Sequence, residues 1–210
     1  MTRIFCLILM TLPFLTGCYD SFSTSEPLIK SKDAVADLNI AGAYTMSVSS
    51  NGFRALDSDE APIQIKKNTD SFIITFKDDK KSVDFKLLFA ALDKSGYYIM
   101  QLSCEGGEQC EETDSKHFNL ITRLSEKTIH IYFFIPSEAL KEEMPEPDEN
   151  SSQQYKTYYK LVKKHKLSVL YLKPEYYLLD SSLAQLKAFM NDALKEPDFC
   201  EELVRLVRIQ

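Results

Sequence analysis

Five cysteines carry the most specific chemistry in this 210-residue chain, and their spacing sorts them into different kinds. Cys104 and Cys110 flank Glu105-Gly106-Gly107-Glu108-Gln109. The glycine pair lets the chain close tightly, so a disulfide pinning a hairpin loop is the expected chemistry. Redox catalysis would want a tighter pair beside a helix start, and the surrounding carboxylates raise a thiol pKa rather than lower it. Zinc would want further ligands at set spacing, and only His117 lies near. Cys200 stands apart, either as a buried thiol or as partner to Cys104 or Cys110. Cys6 lies inside the apolar run Ile4 to Leu15, and Cys18 follows that run directly. The small pair Thr16-Gly17 opens the backbone to a peptidase, and the Cys18 thiol is a nucleophile that can be alkylated.

Leu15-Thr16-Gly17-Cys18 resembles the lipobox of bacterial lipoproteins. The resemblance implies a diacylglyceryl group on Cys18, cleavage between Gly17 and Cys18, and palmitate-type acylation of the new amino group. Residues 1–17 are then a lipoprotein signal peptide. The alternatives are an ordinary secretory signal or a retained helix, but a twelve-residue run is too short to span roughly 30 Å of hydrocarbon. Two or more acyl chains hold a protein stably where one does so only marginally. Tyr19, not Asp, follows the cysteine. By resemblance to the retention rule of enteric-type lipoproteins, this favours the periplasmic face of the outer membrane in a host with two membranes.

The remaining chemistry is dispersed. Glu105, Glu108, Glu111, Glu112 and Asp114 cluster, but not in the ordered oxygen spacing of a calcium loop, so a solvated loop is expected. The histidines His117, His130 and His165 sit in different elements. No H-E-x-x-H, G-x-S-x-G or G-x-x-x-x-G-K-[ST] occurs. No catalytic residue, metal or cofactor beyond the anchor lipid is assigned. Lys156, Lys160, Lys163 and Lys164 share one side of a predicted helix. They suit either contact with anionic headgroups or a solvated face paired with the acidic run before it. The formal charge of −6 gives no reason to bind nucleic acid.

The elements that must position these groups follow from periodicity. Residues 18–38, polar and serine-rich at first, read as the lipidated cysteine and a flexible tether, and residues 39–210 as one globular domain. Apolar–polar alternation predicts strands at 44–48, 63–66, 72–76, 85–89, 97–102, 118–124 and 129–135. Ser151 with Gln154, and Ser182 with Gln185, resemble capping boxes that open two helices. In the first, Tyr155, Tyr158, Tyr159 and Val162 share a face. In the second, Leu183, Leu186, Met190, Ala193 and Leu194 do. Strands are expected at 167–172 and 203–209. The expected class is α+β: mainly antiparallel β, a curved sheet or barrel-like meander, with two C-terminal helices interleaved with strands.

Gly42-Ala43-Tyr44 opening a first strand before a meander resembles the start of a lipocalin-type barrel. That family carries Gly-x-Trp there, and Tyr44 departs from it. The resemblance implies a cup for a small apolar ligand. Three expectations therefore stand: a non-enzymatic envelope lipoprotein that binds another envelope component or serves assembly, a lipocalin-like ligand barrel, and a hydrolase with dispersed catalytic residues. The partners expected are the membrane, through the anchor, and another envelope protein.

Overall fold

Val83, Phe85, Leu87 and Phe89 alternate with polar residues until position 87, after which every residue through Ala90 is buried. That change of pattern marks a strand covered on both faces. The computed structural model describes residues 22–49, 53–55, 62–77, 82–106, 117–133, 144–172, 175–197 and 199–209. The strands are β1 (Phe22–Thr24), β2 (Gly42–Ser49), β3 (Phe53–Ala55), β4 (Ile63–Lys67), β5 (Phe72–Lys77) and β6 (Ser82–Ala91). They continue as β7 (Tyr97–Gly106), β8 (His117–Leu124), β9 (Thr128–Phe133), β10 (Ser168–Leu172), β11 (Glu175–Leu179) and β12 (Glu201–Arg208). Helix α1 spans Gln153–His165 and α2 spans Leu183–Ala193.

Eight strands close into an antiparallel barrel in the order β2, β4, β5, β6, β7, β8, β9, β12 and back to β2. The last strand of the chain thus fills the gap between β9 and β2. One edge of β8 is shared. His117–Asn119 pairs with β1, whereas Ile121–Leu124 pairs with β9 and closes the barrel. Beyond β1 the sheet continues as a wing, with β11 parallel to β1 and β10 antiparallel to β11. The architecture is the expected α+β class with a barrel-like sheet.

Two cores result. Inside the barrel, Tyr44, Ile65, Phe72, Phe85, Phe89 and Leu206 belong to one buried cluster. Outside it, Leu88, Ala90, Ile99 and Ile121 of the wall pack under Tyr158 and Leu161 of α1 and Phe189 and Met190 of α2. An eight-stranded barrel is just wide enough for side chains to fill. The wall under the helices therefore needs apolar residues on both faces.

Two expectations are corrected. The stretch expected as a flexible tether (residues 18–38) is docked from Phe22 onward: Phe22, Ser23 and Ile29 are fully buried, and a 3-10 turn follows at Ser31–Asp33. Burying Phe22 and Ile29 contributes roughly 2–3 kcal/mol each, enough to order a short segment that has no periodicity of its own. The first helix is capped by Ser152, whose side chain accepts from Tyr155 N, so the cap lies one residue later than Ser151. β1 and β11 carry no local signal: β1 forms between β8 and β11, and β11 between β1 and β10. At α2 the capping box of Ser182 and Gln185 is present as read from the sequence. The sequence also offers Asn51-Gly52 and Asp78-Asp79-Lys80-Lys81 as turns, and both lie outside the described residues.

Candidate functional site

The barrel lumen is the first place to look for a site, and side chains fill it. Phe72 and Phe89 meet edge to face at 6.0 Å, Phe76 and Phe85 at 5.9 Å, and Phe89 and Tyr98 at 6.3 Å. Among the described residues the lumen holds a cavity of about 20 Å³, lined by Met46, Ile65, Ile74, Met100, Leu102 and Val204 among others. A space of that size admits about one water, and an apolar lining gives a water nothing to bond. It is far below the several hundred Å³ of a usual ligand pocket.

One end of the barrel is shut by a polar clasp. Tyr44 is almost fully buried, and its hydroxyl donates to the Ile40 carbonyl at 2.7 Å. Arg208 at the end of β12 donates to the same hydroxyl from Nε at 3.2 Å and Nη2 at 3.1 Å, with its guanidinium 5.6 Å from the ring centroid. Gly42 lets it do so. A Cβ there would stand 3.3 Å from Arg208 Nε, tighter than side chains ordinarily tolerate. Thus the Gly42-Ala43-Tyr44 motif closes the barrel at the point where the sequence placed its first strand.

Outside the barrel, each of the three histidines finds a polar partner far away in sequence. His117 Nδ1 lies 2.7 Å from Ser103 Oγ, His130 Nδ1 2.9 Å from Glu202 Oε1, and His165 Nε2 2.9 Å from Asp192 Oδ2. Glu202 also accepts from Arg205 Nε at 2.8 Å. Burial pushes the Glu202 carboxyl upward, but hydrogen bonds from Arg205 and His130 outweigh it and hold the group below its ordinary value. Lys164 and Lys195, each 2.7 Å away, hold the Asp192 carboxyl well below the usual range. Each carboxylate is thus engaged by cations that fix its charge.

Next to Glu202, the outward wall near the shut end gathers aromatic and basic groups. The rings of Tyr97 and Tyr132 lie 5.9 Å apart. Lys94 Nζ stands 4.7 Å over Tyr97 and Arg123 5.8 Å from it. Burial raises the Tyr132 phenol to about 12, with Tyr97 adding to the effect. A cation over the face of a tyrosine ring is attracted by the ring's quadrupole. No sequence spacing announces this wall, because its members come from β7, β8, β9 and β12 and the turn before β7.

The docked N-terminal segment is held by two amides. Gln101 Oε1 accepts from Ile29 N at 2.9 Å, and Asn119 Nδ2 donates to the Phe22 carbonyl at 3.0 Å. Both amides are fully buried. They interrupt otherwise apolar strands, and that interruption was the signal a sequence reading could have used.

The residues singled out from the sequence fare differently. Gly17, Cys18 and Cys110 lie outside the described residues, as does most of the acidic cluster. Cys104 is disulfide-bonded and packs against the barrel core. Cys200 is free, and burial raises its thiol to about 12. Of the lysines on α1, Lys156 donates to the Glu149 carbonyl at 3.2 Å, Lys164 pairs with Asp192, and Lys163 stands over Tyr159 at 5.3 Å. Lys160 is exposed. Among the described residues no group of three or more His, Cys, Asp or Glu side chains is placed to hold a metal ion. Among them, too, no helix is long and apolar enough to cross a membrane. Comparison with protein-family models, with characterised proteins and with solved structures gives no match.

Proposed function

We propose that this chain is a lipid-anchored protein of the bacterial cell envelope whose domain is a non-enzymatic binding or assembly module. It works from its outer surfaces and not from the barrel lumen. The observation that carries this reading is a lumen filled by the described side chains, among which the cavity of about 20 Å³ is too small for a ligand. A module that presents a built-up exterior (two helices, a three-stranded wing and an aromatic–basic wall) on a plugged barrel is suited to contact large partners. The Leu15-Thr16-Gly17-Cys18 motif supplies the anchor, and Tyr19 directs it to the periplasmic face of the outer membrane where two membranes exist. The disulfide at Cys104 supports an oxidising compartment, and we propose Cys110 as its partner.

Two measurements test this. Cys18→Ser should abolish fatty-acid labelling and leave an uncleaved precursor, and unchanged labelling would remove the anchor. Photo-crosslinking from the wall and the wing in whole cells should recover a defined envelope protein. Recovery of nothing above background would count against a binding or assembly role.

A second reading, a cup for a small apolar ligand, draws on the closed eight-stranded barrel and on Met46 and Met100 in its lining, since methionines repack readily. It requires the lumen to open. Saturable enhancement of an apolar dye's fluorescence, lost on Met100→Trp, would favour the cup over the exterior-surface reading.

A further inference from the structure

The place where the described chain begins constrains how the domain meets its membrane. Phe22 is fully buried and sits edge to face with Phe189 of α2 at 5.6 Å. Cys18 precedes it by four residues, a reach of at most about 14 Å even when extended. On the sheet, Phe22 lies opposite Asn119, whereas Ile121, two residues along β8, is opposite Tyr132 of β9. With strands about 5 Å apart and a rise of about 3.4 Å per residue, Tyr132 stands within about 15 Å of Phe22. An anchor at Cys18 is therefore held within about 30 Å of Tyr132, where the wall starts.

That wall has the composition of a membrane-interface surface. Tyr97 and Tyr132 carry amphipathic rings, and Lys94 and Arg123 are exposed beside them. Glu202 lies in the same wall, but Arg205 and His130 already engage it. Along β12 the same outward face continues from Arg205 to Val207 and Ile209, which are 37% and 44% exposed. Apolar and basic groups together on one face of an acidic protein suit a headgroup region. The lysines of α1 are worse placed. They lie opposite the buried Tyr155, Tyr158, Leu161 and Val162, about one helix diameter of 10 Å farther from the sheet.

We propose that the wall formed by Lys94, Tyr97, Arg123, Tyr132 and Val207 lies against the anionic phospholipid headgroups of the membrane that carries the Cys18 anchor. This rests on the lipid-anchor reading. The short connection limits how far the domain can turn away from the bilayer.

The test uses the full-length protein, purified as the cell processes it, with its intact mass measured first. Amine modification is then followed by mass spectrometry at Lys94 and Lys160. The protein is compared in detergent micelles, in phosphatidylcholine vesicles, and in vesicles with about one third phosphatidylglycerol. The expected result is Lys94 slowed about five-fold in the anionic vesicles, released by high salt and by Arg123→Glu, with Lys160 unchanged. Protection of Lys160 with Lys94 unprotected would place the membrane on α1 and overturn the proposal. Protection of neither would mean that the domain stands off the bilayer and would overturn it equally. A Cys18 without the diacylglyceryl mass would remove the anchor reading, a failure read separately from the labelling rates, and the proposal with it.

Discussion

Arg208 donates to the hydroxyl of Tyr44 across a sequence separation of 164 residues, and its Nη2 also reaches the Asn39 carbonyl at 2.6 Å. The end of the last barrel strand is thereby fixed to the chain entering the first. Tyr44→Phe should cost about 1–3 kcal/mol, because it strips Arg208 of an acceptor and the Ile40 carbonyl of its donor inside a packed end. Arg208→Lys should cost a similar amount, since one ammonium cannot serve both acceptors with the geometry of a guanidinium. Urea midpoints check both. Two unchanged midpoints would mean that the clasp contributes nothing to stability.

The N-terminal segment gives a second prediction. Gln101 bonds both backbone groups of Ile29, through Oε1 at 2.9 Å and Nε2 at 3.5 Å. Gln101→Leu should leave those groups buried and unpaired, at a cost of about 1–3 kcal/mol. The segment should then detach locally before the barrel unfolds. Limited proteolysis should show new cleavage between Phe22 and Leu38, with the barrel fragment intact. A cleavage pattern identical to that of the unaltered protein would refute this.

Much of the barrel was legible in the sequence because its strands alternate locally. Ile63 and Ile65, or Phe72 and Ile74, announce their own inward face. β1 and β11 could not be read this way. Phe22-Ser23-Thr24 is too short to show a period, and its partners lie at Tyr176 and Tyr177, so the strand exists only once the fold has joined distant segments. The polar pairs were hidden for the same reason. His130 and Glu202 are 72 residues apart, and no spacing rule connects them. The lysine face of α1 was visible, but the tie from Lys164 to Asp192 on α2 was not.

Acid and alkaline stability should follow the carboxylates and the buried weak acids. Asp192, held down by Lys164 and then by Lys195 and His165, has a folded pKa below its unfolded value. Its stabilisation is therefore present above an unfolded value of about 4 and is lost as pH falls through the folded value. Glu202 follows the same direction. The melting temperature should therefore drop on acidification below about pH 4.5, and Asp192→Asn should make that limb shallower while lowering stability at neutral pH. At the other end, Cys200 and Tyr132 are raised to about 12, so the folded chain keeps protons that the unfolded chain releases. Stability should decline above about pH 9, and Cys200→Ala should flatten that limb. Melting curves from pH 3 to 11 test both arms, and limbs unaltered by either substitution would refute the assignment.

Tyr158 provides a test in the opposite direction. It is fully buried between the helix layer and the wall, with its ring 6.2 Å from that of Phe189. Among the described residues its hydroxyl has no hydrogen-bond partner, and burial drives its pKa far above the phenol range. An unpartnered buried hydroxyl costs about 1–3 kcal/mol of desolvation, whereas the ring itself is fully used in packing. Tyr158→Phe removes the polar atom and keeps the ring, so it should leave stability unchanged or raise it by about 1 kcal/mol. Tyr158→Ala should cost about 3–5 kcal/mol, because it opens a cavity where α1 meets Phe189. Comparing the two urea midpoints separates hydroxyl from ring. A Phe variant as damaged as the Ala variant would show that the hydroxyl is bonded in solution and that the outer core is wetter than its side chains imply.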